Sequence, residues 1–243
     1  MKFELYDGEV TLAFDERKHV YTVAGKPVVG VTTVTGVINK NLTWWASRMA
    51  VDHIKSKLTP GQAYDEIEIE EMLEDAYRAH SRSSMKAASI GTMVHSWIEN
   101  WIAGAEPDMP VNKKAVNAIE QFLKWVGEHD VKFLASEQRV YSRKHRFAGT
   151  FDFTAEIDGK VYLGDIKTSS GIYPEYFVQT GGYDLALLEE KNQKFHGHII
   201  INTPKEGDFK FKILERPAKL RQAFLGALNL YNGLDRIKKE MKA

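Results

Sequence analysis

Alternation of apolar and polar positions is sharpest in the middle of the chain. Phe151 to Ile157 (FDFTAEI) and Lys160 to Lys167 (KVYLGDIK) flank the dipeptide Asp158-Gly159. Asp-Gly is a favoured pair for a two-residue type I′ turn, so this pattern predicts an antiparallel hairpin. The same reading predicts strands near 131–141, 147–157, 160–168, 195–202 and 209–214. Residues 9–14 and 18–23 form a smaller predicted hairpin, and Val28 to Val37 adds a β-branched run of strand character. Helical spacing marks Leu42 to Leu58, Ser84 to Ala103, Asn112 to Glu128, Pro174 to Glu190 and Pro217 to Met241. Gly104 and Pro107 stop the second of these, and Pro217 suits the start of the last. The acidic run from Tyr64 to Asp75 reads as a solvated helix face, or else as a fence that repels misplaced nucleic acid. The order of elements predicts an α/β fold, a mixed central sheet flanked by helices with an N-terminal hairpin and helical elaboration. One domain is expected over 1–243, with an elaboration at 1–80, a core at 84–214 and a closing helix at 217–241.

The hairpin carries chemistry. With Asp158 and Gly159 as the loop, Ile157 pairs with Lys160, and counting outward sets Asp152 opposite Asp165. Paired side chains share a face with Cβ atoms about 4.5–5.5 Å apart, where like charges repel. A divalent cation is the natural offset. Lys167 follows Asp165 at the strand period and falls on the same face, while Ile166 points to the core. Two carboxylates and an ammonium on one spot suit a metal, a water and a phosphate. If Arg143 to Arg146 form a four-residue loop, Ser142 pairs with Phe147 and Glu137 falls opposite Asp152. That makes Glu137 a further candidate. A partner Arg or Lys satisfying it is the alternative.

Composition narrows the partners. The 243 residues hold 33 Lys+Arg and 33 Asp+Glu, so net charge is zero and nucleic acid must be held by local patches. The absence of cysteine excludes disulfides, thiolate zinc sites and iron–sulfur clusters and suits a reducing compartment. No apolar run approaches the ~20 residues that span a bilayer, and Met1-Lys2-Phe3-Glu4 lacks the apolar stretch of a secretory signal. A cytoplasmic location, in a bacterial or phage-infected cell, is expected.

Four more features gain meaning beside a metal site. His95 has Glu99 four residues on, along one helix face, and imidazole is a common ligand for transition metals. A lone helical histidine is otherwise structural. Gln179 and Tyr183 share a helix face, directed to a site or to the core, and Gly181-Gly182 between them costs helix stability unless something packs closely there. Arg143, Lys144, His145 and Arg146 form the densest basic cluster, fit for phosphate contact near a site and otherwise a solvated tip. Trp44, Trp45, Trp97 and Trp101 are read chiefly as core, with base stacking as the alternative.

Taken in order, Gly91-Thr92-x-x-His95, Ala148-Gly149-Thr150-Phe151-Asp152, Gly164-Asp165-Ile166-Lys167 and Gln179-x-x-x-Tyr183 resemble the PD-(D/E)XK nuclease superfamily in its RecB-like branch. The chain is similar to phage-type exonucleases and to the mitochondrial genome maintenance exonuclease across residues 84 to 190. The resemblance implies a restriction-endonuclease-like sheet and a Mg²⁺- or Mn²⁺-dependent deoxyribonuclease. It implies metal ligation by His95, Asp152, Asp165 and the Ile166 carbonyl, with Asp152, Asp165 and Lys167 as the catalytic set. Gln179 and Tyr183 would support the site and contact DNA, and Arg143, Lys144 and Arg146 are further candidates for that contact. Asp165 stands where Glu is commoner. The implied partners are DNA, single-stranded or with free ends, and a single-strand-binding or annealing protein, with no membrane. Recombination, repair and phage replication all use such exonucleases. The alternatives are a structure-specific or restriction-type endonuclease and a non-catalytic DNA-binding subunit.

Overall fold

A computed structural model of the protein describes residues 1–38, 42–204 and 207–242. Four short strands open the chain: β1 (Lys2–Leu5), β2 (Val10–Asp15), β3 (Val20–Val23) and β4 (Lys26–Gly30). They pair in sequence as an antiparallel meander, and β1 is an addition to the expected hairpin. The β-branched run does not stay extended. It breaks at Gly30 into a one-turn helix, α1 (Val31–Thr35), which buries Val31 and Val34 on one side. Tertiary burial at that spacing overrides the strand propensity of valine and threonine.

Two helices follow, α2 (Thr43–Lys57) and α3 (Glu66–Ile102). The latter starts well before the predicted Ser84 and absorbs the acidic run. Its start is a reciprocal cap: Glu68 N donates to Asp65 Oδ1, and Asp65 N donates to Glu68 Oε2. Then come α4 (Lys113–Glu128), capped by the Asn112 side chain, and the strands β5 (Val131–Ser142), β6 (Phe147–Ile157) and β7 (Lys160–Lys167). The chain ends with α5 (Pro174–Lys191), β8 (Gly197–Asn202), β9 (Lys210–Leu214) and α6 (Pro217–Glu240).

The sheet is mixed. Its order is β1-β2-β3-β4-β6-β7-β8-β9, with β5 on the other edge of β6. The β4–β6 and β7–β8 pairs are parallel and the rest antiparallel. α5 and α6 cover a cluster that includes Phe147, Phe151, Leu163, Leu187 and Phe224. On α4, Phe122 and Trp125 pack with Phe133, Phe209 and Phe211. This is the α/β arrangement expected from the sequence, a mixed central sheet flanked by helices.

Contacts divide the chain into two units, residues 1–38 with 94–243, and residues 39–93. In the second unit, α2 buries no side chain and Trp44 stands in solvent. Arg78 pairs with Glu74, and Arg82 with Asp75. Among the described residues no helix is long and apolar enough to cross a membrane.

Candidate active site

The predicted hairpin register is observed. Asp158 and Gly159 both take positive φ, +50° and +76°, as a type I′ turn requires, and Ile157 pairs with Lys160. The β6–β7 ladder runs to Phe153 and Gly164 and stops. The next residues are Asp152 and Asp165. Gly164 has no side chain for a physical reason: the ring of Phe153 lies where its Cβ would be.

β6 is where the sheet opens. One edge pairs with β5 along nearly its whole length. The other pairs with β4 at Phe147 and Ala148, and with β7 from Phe153 onward. Gly149 to Asp152 lie between the two ladders. In that break Asp152 Oδ2 accepts a hydrogen bond from Ile166 N at 2.7 Å, so a carboxylate replaces a strand partner. His95, on α3, brings Nδ1 to 3.6 Å from the same oxygen.

Asp165 is fully buried. Lys167 Nζ lies 2.5 Å from its Oδ2, a close ion pair. Its other oxygen, Oδ1, accepts from Gln179 Nε2 at 3.0 Å. The Gln179 amide is then fully used: Nε2 also donates to the Tyr183 hydroxyl at 2.9 Å, and Oε1 accepts from Lys167 Nζ at 3.4 Å. Gln179 thus faces the site, while the Tyr183 ring is core and only its hydroxyl reaches the network. Gly149 makes room for that ring, since a Cβ there would stand 2.6 Å from Tyr183 Cε1. Gly181 and Gly182 meet another helix: added Cβ atoms would strike the Leu220 carbonyl and the Phe224 ring of α6.

Glu137 falls opposite Asp152 in register, between the pairs Gln138–Phe151 and Ser136–Phe153. Its φ of +50° lies within a strand interior, an uncommon conformation that re-aims the side chain. Burial, Asp152 and Glu99 together push its carboxyl up to about 7. Burial likewise raises Asp165 to about 6 against the opposing pull of Lys167, and raises Asp152. Burial and then Lys167 lower His95, which keeps its imidazole neutral with a lone pair to give. Burial works against the Lys167 ammonium, yet Asp165 and Asp152 outweigh it and its pKa is raised.

Negative charge therefore exceeds positive charge in a buried place. An added cation fits this surplus and the neutral imidazole. The donors are not pre-gathered, however: among the described residues no three His, Asp or Glu side chains stand together as a closed ligand set.

The basic loop lies elsewhere. It joins β5 and β6, and its last residue, Arg146, lies six residues before Asp152, roughly 20 Å along a strand. Arg143 pairs with Glu9 at 2.8 Å and lies over the Tyr6 ring, and Lys144 N donates to Glu189. Lys144 and Arg146 form no ion pair among the described residues, but neither belongs to the break that holds Asp152. Trp97 is buried, with Nε1 bonded to the Pro107 carbonyl, and stacks on Trp101, so both follow the core reading. The wall of the break was not foreseen: Phe14, His19 and Tyr21 of the N-terminal hairpin stand beside Asp152 and Gln179. That contact spans more than a hundred residues and leaves no local signal.

No protein-family model matches the sequence, and a search of curated proteins gives no match. Solved structures offer remote likenesses. The Eubacterium rectale protein named "Putative exonuclease" shares 12% identity over 62% of this chain and 68% of its own, with a TM-score of 0.44. The protein named SSO0001 shares 12% identity over 79% of this chain and 87% of its own, with a TM-score of 0.36. Likenesses this remote carry no argument about chemistry.

Proposed function

We propose that the protein is a divalent-cation-dependent deoxyribonuclease that hydrolyses phosphodiester bonds in single-stranded DNA or at DNA ends. One observation carries the reading. Two carboxylates with raised pKa, Asp152 and Asp165, share a break in the sheet with a single ammonium, Lys167, and a neutral imidazole, His95. Asp152, Asp165, His95 and the Ile166 carbonyl would hold Mg²⁺ or Mn²⁺, with Glu137 and Glu99 close enough to add charge. When bound, such an ion supplies Lewis acidity toward a phosphate oxygen and makes its water a nucleophile near neutral pH.

The chain's own groups do the rest. Lys167 stays protonated, and its ammonium stabilises negative charge that grows on the phosphate oxygens. Gln179 fixes both partners of that ion pair through one amide. Tyr183, whose hydroxyl pKa burial raises, remains neutral and anchors Gln179 from below.

The test is incubation of linear and circular single strands with Mg²⁺ or Mn²⁺, with chelator as control. Shortening of the linear strand alone supports an exonuclease. Cutting of both forms moves the assignment to an endonuclease, and an intact substrate in every tube overturns the nuclease reading.

A further inference from the structure

A cavity of about 230 Å³ opens beside Asp152 and Gln179. Its outer wall is the N-terminal hairpin, through Phe14, His19 and Tyr21, and Arg139 of β5 lines it as well. We propose that this cavity is a subsite for one unpaired nucleotide next to the scissile phosphate, an inference that rests on the nuclease reading above.

Size comes first. The volume is of the order of a single nucleotide and is below the range of ordinary ligand pockets. The wall is also of the right kind. Phe14 and Tyr21 stack with ring centroids 4.5 Å apart, and His19 meets Phe14 edge-on at 5.2 Å. His19 is exposed and forms the rim, over a rigid aromatic base. Phe14 and Tyr21 are themselves buried, so the exposed His19 ring is the face on which a base can stack, with little regard to sequence. The Tyr21 hydroxyl hydrogen-bonds with Thr150 Oγ1 at 2.9 Å, which ties this wall to β6 two residues from Asp152.

Charge completes the case. The acids of the break repel a polyanion, and the protein has no net positive charge to offset that. Arg139 Nη1 is anchored on the Glu137 carbonyl, while its Nε is buried without a hydrogen-bond partner. Arg139, which lines the cavity, is the cation placed to contact a phosphate of a bound nucleotide.

The test is steady-state cleavage of a short fluorescent oligothymidylate with Mn²⁺, comparing wild type with His19→Ala, His19→Phe, Arg139→Gln and Arg139→Lys. Loss of one stacked base corresponds to about 5- to 150-fold in affinity. We expect His19→Ala and Arg139→Gln to raise KM within that range with kcat little changed. His19→Phe should restore KM, and Arg139→Lys should restore it in part. His19 is an exposed turn residue with a φ of +52°, so melting curves of both His19 variants check that the hairpin stays folded. Unchanged KM in His19→Ala and Arg139→Gln, with an active wild type, overturns the subsite and leaves the nuclease reading standing. So does a fall in kcat alone, or no recovery with His19→Phe. A wild type that cuts no oligonucleotide removes both.

Discussion

Replacing Lys167 with Met keeps most of the side-chain volume and deletes the charge 2.5 Å from a fully buried carboxylate. The sign of the effect follows from Asp165. Its pKa rises on folding from 3.8 to about 6, so the folded state favours the protonated acid. For an acid shifted upward, stability falls as pH climbs from about 4 through the folded value. Each pKa unit is worth about 1.4 kcal/mol, so the ionised Asp165 already costs up to about 3 kcal/mol at pH 8 with Lys167 present. Without the ammonium the folded pKa climbs further, and the acid stays protonated across the neutral range. At pH 5 both proteins carry a mostly protonated Asp165, and their stabilities should be nearly equal. By pH 8 the variant should be about 2–3 kcal/mol less stable, close to the lower end of the ~3–5 kcal/mol for breaking a buried pair. Lys167 itself does not titrate in this window, because its pKa is raised above 10.5. The assay is urea unfolding in chelator at pH 5, 6.5 and 8. A deficit that is the same at every pH, or largest at pH 5, refutes the reasoning.

Other substitutions probe the support of the site. Gln179→Leu leaves Asp165 Oδ1 without its donor, and should cost about 1–3 kcal/mol in urea unfolding while lowering the cleavage rate. Gly149→Ala sets a methyl against Tyr183 Cε1, and overpacking of about 1–3 kcal/mol should appear as a lower melting temperature, relieved by adding Tyr183→Leu.

Much of the site was legible because strand pairing follows local rules. The Asp158-Gly159 turn takes both positive φ angles, and so the register, with Asp152 next in line to Asp165, could be counted from the sequence. Glu137 followed from a four-residue loop in the same way, although its left-handed backbone did not. Val31 to Thr35 misled, because β-branched residues favour strands and the helix there is stabilised by burial of Val31 and Val34. The early start of α3 was written in Asp65 and Glu68, a capping pair masked by the acidic run around it. Gly181 and Gly182 signalled close packing but not its partner, since the approach of α6 is a tertiary event. The basic loop was judged by composition, although the predicted strand 147–157 already set it several residues from Asp152.

The account depends most on the acidic pair holding a cation. Titration calorimetry of Mn²⁺ into chelator-stripped protein at pH 7.5 tests this most directly, in wild type and in Asp152→Asn. The expected result is saturable binding, and at least about tenfold weaker binding in the variant, whose amide replaces one of the two carboxylates. No heat of binding to the wild type, or equal affinity in the two proteins, contradicts it.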